Sequence, residues 1–316
     1  GKPVSARTDT SVPYPCTPAV IPQEQVDMVV QLAEIGDSAL IGRGAARLTR
    51  NPRDLLIAKN TSDVIAHCGL FQDGFSFQTG AGAIPIACTN YIGRHMAERN
   101  IRAGFALGGV TSGIVELLKE GRVGYIEAVQ SFDAVAAKAM LTDSRIVECG
   151  VDRYANPHNK GAMVNRLDIV VLAALEVDVK FNVNILTGSS GEMLGGLGGG
   201  PDTAAGAAVP ILALPLFRGR TPSIVDQVFT LCTPGETVAA VVTEMGVALN
   251  PRHRSWNMLQ ESLKSCPVKQ YTIEDMKRMA ETITGVPKPI RCTDRVVALV
   301  EYRDGSIIDV IRQLEP

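Results

Sequence analysis

The sequence predicts an α/β fold in which a mainly parallel sheet carries helices on both faces. Short strand-like stretches alternate with helical stretches of about 10–15 residues, which is typical of repeated βαβ units. The run from Asp168 to Leu175 is almost wholly apolar, as a central strand buried on both faces should be. A chain of 316 residues with 46% hydrophobic and 20% charged residues can form a large packed core.

Charge and hydropathy exclude several classes of protein. Lys and Arg number 31 and Asp and Glu 33, and no basic stripe marks a nucleic-acid-binding surface. The longest charge-free apolar stretch, 203–217, is interrupted by Pro210 and Pro215 and is shorter than the about 20 residues that span a bilayer. The first residues lack the apolar segment of a signal peptide. We therefore expect a soluble, cytoplasmic protein.

The cysteines and histidines do not indicate a metal site. The seven cysteines form no CxxC pair, and no two of the four histidines stand at i, i+4 spacing. We expect buried, reduced thiols and no bound metal.

The N-terminal part differs from the rest in its proline content. Residues 1–25 contain five of the 18 prolines, which favours extended chain outside a sheet. We expect residues 1–44 to form an extended arm with a short strand at 28–30. Residues 45–316 are then expected to form the α/β domain.

Hydrophobic periodicity and helix-capping signals predict the elements of that domain in order. Helices are predicted at 52–69, from the turn at 79–82 to 98, and at 113–120, 133–141 (capped by Asp133), 254–264 and 273–284. Strands are predicted at 74–78, 103–107, 123–132, 145–149, 168–175, 181–186, 209–217, 224–231 and 238–242. A final hairpin pairs 295–302 with 306–311 through an Asp-Gly turn.

The densest motif is the glycine-rich stretch 187–202. Glycines let a ligand approach the backbone, and exposed N–H groups can hold an oxyanion. Asp202 is expected to cap the helix that follows. The alternative is a flexible surface loop, but the position between a strand and a helix favours a functional loop. The stretch matches neither the GxGxxG nor the GxxxxGK[ST] fingerprint.

Two further turns rich in small residues follow predicted strands, at 78–82 and 108–113. Taken alone, each turn is as typical of a purely structural turn as of a ligand site. Parallel topology, however, would bring both turns and the glycine-rich stretch 187–202 to one rim of the sheet. Asn182 and Asn184 either donate to a carbonyl oxygen or close turns through their own backbone. Arg218 and Arg220 either bind a carboxylate or lie solvated at a strand end.

Six stretches in register closely resemble the citrate lyase alpha subunit family. They are Gly74–Gly82, Tyr154–Pro157, Ala174–Asp178, Phe181–Asn184, Asp202–Ala207 and Tyr302–Ser306. The resemblance implies a CoA-transferase fold of the NagB/RpiA-like kind and a citrate CoA-transferase activity, in which acetyl is exchanged for citryl on an acyl carrier thiol. It implies beta and gamma (acyl carrier) subunits as partners and a CoA-like prosthetic group on the carrier as substrate.

The sequence departs from the family pattern in two ways. The family chain is longer and has two similar halves, and this chain matches the second half and the tail of the first. A companion chain supplying the first half is therefore a further expected partner. The family loop also commonly has His where Gly200 stands.

The resemblance also implies residue roles. Asn184 would orient the reacting carbonyl, and Gly198 and Gly199 would offer backbone amides near the thioester. Substrate-binding positions by the same resemblance are Gln78, Thr79, Gly80, Ala81, Gly82, Gly109, Val110, Thr111, Asn182, Gly200 and Asp202. Glu176 and Asp202 are expected to hold the loops in place.

The resemblance further implies that the nucleophile is a carboxylate of the substrate. Many related CoA-transferases use a glutamate at a strand end, but 108–112 contains no carboxylate. Two alternatives remain open: an acyl-CoA transferase or hydrolase with another carboxylate, and a non-catalytic CoA-binding half that scaffolds assembly.

Overall fold

A computed structural model describes residues 21–33, 36, 48–80 and 82–315. Its α-helices are α1 (Pro52–His67), α2 (Ala83–Arg99), α3 (Ser112–Lys119), α4 (Ala134–Thr142), α5 (Val151–Ala155), α6 (Gly200–Gly206), α7 (Trp256–Ser262) and α8 (Ile273–Thr284). Its strands are β1 (Ser76–Thr79), β2 (Ala103–Val110), β3 (Val123–Ser131), β4 (Ile146–Glu148), β5 (Ile169–Leu172), β6 (Glu176–Asp178), β7 (Val183–Asn184), β8 (Val209–Ala213), β9 (Phe217–Arg218), β10 (Thr221–Pro222), β11 (Ile224–Val225), β12 (Ala240–Val242), β13 (Val247–Leu249), β14 (Gln270–Tyr271), β15 (Cys292–Glu301) and β16 (Ile307–Leu314).

Nine strands form one central sheet in the order β14-β13-β12-β8-β5-β1-β2-β3-β4. Every neighbouring pair is parallel except β12 and β13, which run antiparallel. The predicted α/β class with a mainly parallel sheet is confirmed. The carboxyl ends of β1, β2, β3, β5 and β8 therefore share one edge, where ligands bind in such sheets.

Helices cover both faces of this sheet. Ile169 and Val171 of β5 pack into the larger core cluster with Ile57 of α1 and Ile92 of α2. Val170 points the opposite way, into a second cluster beneath α5 that includes Tyr154. Alternate side chains of β5 thus serve two cores, which explains the unbroken apolar run that predicted this strand.

Several predicted elements are confirmed nearly residue for residue. Helix α8 coincides with the prediction, and Asp133 caps α4 by accepting a hydrogen bond from the N–H of Ala136. The final hairpin also forms: β15 pairs antiparallel with β16, and Gly305 in its turn has φ +86°. Val300 and Ile311 of the hairpin pack on Leu186 and the buried Cys232.

Other elements are shorter than predicted because local polar bonds end them. The predicted strand 181–186 pairs only at β7, since the Asn184 Oδ1 accepts from the N–H groups of Leu186 and Thr187 and turns the chain away. The predicted strands 209–217 and 224–231 shrink to β8 with β9, and to β11. Strands β6, β10, β13 and β14 were not predicted; each has only two or three residues.

Two predictions about single segments are wrong. Asp202 does not cap α6: the helix begins at Gly200 with Gly199 as its N-cap, because Pro201 fits the first turn. The expected strand at 28–30 does not form, and Met28 and Val29 are 78% and 86% exposed.

The N-terminal arm falls mostly outside the described residues. Within 21–33 the chain forms one short 3-10 turn, Gln23–Gln25, and its side chains are exposed. The boundary between residues 44 and 45 thus stays a prediction. Among the helices that the structure describes, none is long and apolar enough to cross a membrane.

Candidate functional site

A cavity of about 450 Å³ lies at the carboxyl edge of the sheet. Its walls come from the ends of β1, β2, β3, β5 and β8, from the glycine-rich loop and from the start of α6. The predicted site residues that line it are Gln78, Thr79, Gly80, Gly82, Gly109, Gly198, Gly199 and Gly200. All three small-residue turns singled out in the sequence therefore contribute to one cavity.

The side chain of Gln78, at the end of β1, is confined by the backbone of the neighbouring strand β2. A Cβ atom on Gly108 would lie 2.7 Å from the Gln78 side-chain carbonyl, so the backbone of β2 approaches the amide closely. Gly108 has φ +96° and adjoins a register shift in the pairing of β2 with β3. A side-chain-bearing residue would be strained there and would displace Gln78.

Tyr154 joins this strand end to the glycine-rich loop. Its hydroxyl oxygen accepts a hydrogen bond of 2.9 Å from the Gln78 Nε2. A Cβ atom on Gly199 would come within 2.8 Å of the same hydroxyl, so the loop backbone lies directly against the tyrosine ring. Tyr154 lines the cavity and is 8% exposed. It belongs to a stretch that carried the family resemblance, but the sequence assigned it no role.

A buried ion pair anchors the helix that carries Tyr154. The Arg153 guanidinium donates to both carboxylate oxygens of Glu127 on β3, at 3.0 Å and 2.5 Å. Their side chains are 5% and 0% exposed. Such a two-point contact fixes orientation as well as distance, so it sets α5 rigidly against the sheet.

The glycine-rich loop offers hydrogen-bond donors to the cavity. Gly198 has φ +52°, which favours glycine. Within the described residues, the N–H groups of Gly198 and Gly199 have no hydrogen-bond acceptor. A side chain on Gly200 would meet open space. The loop can thus supply two backbone donors.

Asn184 does not face the cavity. Its side chain is fully buried, and its Nδ2 donates to the Glu176 carboxylate at 2.9 Å and to the carbonyl and hydroxyl oxygens of Thr187 at 3.0 Å each. Both amide hydrogens are therefore engaged. The neighbours Val183 and Ile185 line the cavity instead, so Asn184 holds the wall in place from behind.

The remaining predicted binding residues lie around the cavity without lining it. Asn182 donates to Asp178 at 3.0 Å and accepts from the N–H of Gly235, which is a turn-closing arrangement. Val110 and Thr111 are buried at the end of β2, and the Thr111 hydroxyl has no hydrogen-bond partner among the described residues. Ala81 lies outside the described residues.

Asp202 and Arg303 form an ion pair at the edge of the site. The Arg303 Nε lies 3.2 Å from the Asp202 Oδ1, and its Nη2 donates to the Ala155 carbonyl at 2.8 Å. Burial raises the pKa of Asp202, and the guanidinium opposes that shift. The hairpin turn thereby ties α6 to α5.

The cavity is largely apolar and uncharged. Among the described residues that line it, none is Asp, Glu, Lys, Arg or His. Arg218 donates to the Leu175 carbonyl, and Arg220 is exposed. The arginines considered from the sequence as carboxylate ligands therefore lie elsewhere.

No metal site is evident in the part of the chain that the structure describes. It contains no group of three His, Cys, Asp or Glu side chains that could hold an ion. The six described cysteines are free thiols, and burial raises the pKa of Cys68 to about 11.

Comparison with known proteins identifies the family. The family model described as "Citrate lyase, alpha subunit (CitF)" matches residues 1–314. The chain belongs to the citrate lyase alpha subunit family.

Curated relatives in this family are closely similar. The citrate lyase alpha chain of Escherichia coli K12 is 47% identical over 314 residues, which cover 99% of this chain and 61% of the relative. That of Klebsiella pneumoniae is 46% identical over 308 residues, 98% of this chain and 60% of the relative. The chain thus spans about three fifths of the length of these relatives.

Solved structures give the same result. A crystal structure assigned to the citrate lyase alpha subunit of Streptococcus mutans, in complex with citrate, superposes with a TM-score of 0.88 and 47% identity. The superposition covers 96% of this chain and 59% of the Streptococcus mutans chain. RipA from Yersinia pestis shares the fold at TM-score 0.52 and 17% identity over 75% of this chain and 53% of its own.

Proposed function

We propose that this chain carries the site of a citrate CoA-transferase, which exchanges acetyl for citryl on the thiol of an acyl carrier. Family membership supports this proposal. The observation that carries it is the uncharged cavity at the carboxyl edge of the sheet, which combines Gln78, Tyr154 and two free backbone N–H groups.

The reaction runs through two exchanges at carbonyl carbon. A citrate carboxylate oxygen attacks the acetyl thioester, a C–O bond forms, the C–S bond breaks, and the carrier leaves as thiolate. The thiolate then attacks the citryl carbonyl of the resulting mixed anhydride, and acetate leaves with the electron pair of the broken C–O bond. No proton or redox equivalent is consumed overall.

The proposed site supplies stabilisation to this chemistry and leaves the nucleophile to the substrate. Each attack places negative charge on a carbonyl oxygen, and fixed N–H and O–H donors stabilise such an oxyanion. We assign that role to the backbone amides of Gly198 and Gly199. No described residue lining the cavity has a carboxylate that would compete with citrate as nucleophile.

The remaining predicted residues support the site in this proposal. Thr79, Gly80, Gly82, Gly109 and Gly200 form the walls against which citrate and the carrier arm lie, and a binding role for Ala81 stays a prediction. Asn184, Glu176 and Asp202 hold the loops, as their hydrogen bonds indicate.

The uncharged cavity bears on the partners as well. Citrate carries several negative charges, and buried charges need paired groups. We therefore propose that cationic groups reach the cavity from a companion chain that supplies the first half of the family protein, with the beta and gamma subunits completing a cytoplasmic complex.

The proposal is tested by exchange of labelled acetate. The chain, with and without the companion half, is incubated with acetylated carrier or acetyl-CoA and with citrate. Citrate-dependent release of acetate is expected, with citrate exceeding succinate, butyrate and water. Exchange that prefers another acid would favour the broader acyl-CoA transferase or hydrolase, and CoA binding without any turnover would favour a scaffolding half.

A matched pair of glycine variants locates the activity in the cavity. Gly199→Ala puts a methyl group within 2.8 Å of Tyr154 and should lower exchange by about tenfold or more. Gly150→Ala adds a methyl group in open space at the start of α5 and should leave exchange unchanged. Equal activity of the two variants would place the reaction elsewhere.

A further inference from the structure

We propose that the hydroxyl of Tyr154 donates a hydrogen bond to the thioester carbonyl oxygen as that oxygen becomes negatively charged. This inference rests on the proposed function and adds a catalytic residue to it. It emerges from the contacts of a tyrosine that the sequence left without a role.

The phenolic proton of Tyr154 is held only by a long hydrogen bond to the Gln78 amide. The Gln78 Nε2 donates to the tyrosine oxygen at 2.9 Å, and the tyrosine hydroxyl donates to the Oε1 of the same amide at 3.3 Å. No other acceptor for the phenolic proton is found among the described residues. The O–H can therefore exchange this long bond for a shorter one to a ligand oxygen in the cavity.

Tyr154 stays protonated at any pH at which the reaction would be run. Burial raises the pKa of its hydroxyl to about 12, with the Asp202 carboxylate adding to the shift. A neutral phenol is a donor, whereas a phenolate would repel an oxyanion.

The hydroxyl is also fixed in place before substrate arrives. The ring packs in the core cluster with Phe105 and Leu107, and the Arg153–Glu127 pair anchors its helix. Gly199 confines the ring edge from the opposite side. A donor held in this way needs little reorganisation during reaction, which makes it effective at stabilising developing charge.

The hydroxyl does not transfer its proton in this role. When the citrate oxygen adds to the thioester carbon, the carbonyl π electrons move to oxygen, and Tyr154 and the loop amides hydrogen-bond to it. When the C–S bond breaks, those electrons return and the thiolate departs with the bonding pair. The tyrosine ends each exchange in its starting state.

Tyr154→Phe tests the proposal because it keeps the ring and removes only the hydroxyl. We expect kcat for acetate exchange to fall about 10²-fold. KM for citrate should change less than about threefold, since the interaction strengthens in the transition state. Tyr125→Phe is the matched control: Tyr125 lies against the same core cluster and stacks on Phe105 at 5.6 Å, outside the cavity, and its variant should keep full activity.

A double-mutant cycle distinguishes two roles of the Tyr154 hydroxyl: donating a hydrogen bond to the substrate, or only holding the Gln78 side chain in place. In a Gln78→Ala background, Tyr154→Phe should still lower kcat by at least tenfold if the hydroxyl donates to substrate. No further fall would show that Tyr154 acts only by holding Gln78, and would overturn the proposal.

The remaining outcomes are also decisive. Wild-type exchange with an equally active Tyr154→Phe variant overturns this inference and leaves the proposed function standing. A loss confined to KM overturns it as well. Absence of exchange in the wild-type chain, even with the companion half, overturns both.

Discussion

At the scale of single residues, two glycines leave the space that the polar side chains of this site occupy. Gly108 and Gly199 have no side chain, and Gln78 and Tyr154 occupy the space that a side chain would fill. The glycines were visible in the sequence, but the partners that require them come from β1 and α5.

Gly108→Ala should impair both stability and exchange. The residue has φ +96°, and the new methyl group would push on the Gln78 amide at 2.7 Å. We expect a loss of about 1–3 kcal/mol in the free energy of unfolding, measured with urea, and a fall in exchange of about tenfold or more.

Gly121→Ala is the control for Gly108→Ala. Gly121 also has positive φ, at +73°, but a Cβ atom there meets nothing within 4 Å. It should cost about 1 kcal/mol of backbone strain and leave the rate unchanged. Equal rates for the two variants would show that the Gln78 position does not matter.

At the scale of elements, the five-residue helix α5 is held in place by tertiary contacts, one of which is a buried side-chain pair. A helix this short is not stable alone, so tertiary contacts must fix it. The ion pair between Arg153 and Glu127 ties α5 to β3, and it thereby helps to position Tyr154, the next residue of the helix.

Glu127→Ala should destabilise the protein by about 3–5 kcal/mol, because it leaves the Arg153 guanidinium buried beside a lost partner. Thermal unfolding monitored by circular dichroism measures the effect. Glu261→Ala is the control: the exposed pair with Lys264 should contribute less than about 1 kcal/mol. Similar costs for the two variants would contradict the structural role assigned to the buried pair.

At the scale of the whole molecule, a buried histidine makes stability depend on pH. His253 is 4% exposed, and its Nδ1 accepts from the N–H of Ser255. Burial, with a smaller contribution from Arg254, lowers its pKa from 6.5 to about 4. Between about pH 4 and pH 6.5, His253 is therefore neutral in the folded chain and protonated in the unfolded chain.

The sign of the pH effect follows from linkage. Because the unfolded state binds the proton below about pH 6.5, the stabilisation is complete above that pH and is lost as pH falls toward 4. We expect the free energy of unfolding to drop by about 2–3 kcal/mol across this window. In urea titrations at several pH values, His253→Asn should reduce this pH-dependent loss of stability. His158→Asn, at an exposed position, should leave the loss unchanged. The same dependence of the free energy of unfolding on pH in the wild-type chain and both variants would refute the prediction.

The sequence was sufficient to predict the architecture and much of the cavity. Periodicity identified β5 and α8, and strand-end logic brought the small-residue turns to one edge. It did not predict β6, β10, β13 and β14, because two or three residues are too few to show the periodicity of a strand. Nor could it orient Asn184, because an amide after a strand serves equally well as a substrate donor or as a turn closure.

The contact of Arg303 with the site has a consequence for synthesis of the chain. Arg303 lies 148 residues after Ala155 and 101 after Asp202, yet it bonds to both. Neither bond can form until the ribosome has translated and released the hairpin turn, long after the sheet strands have emerged. The cavity edge of the sheet therefore lacks both bonds while the segments before Arg303 are being synthesised, and it gains them only when the hairpin docks.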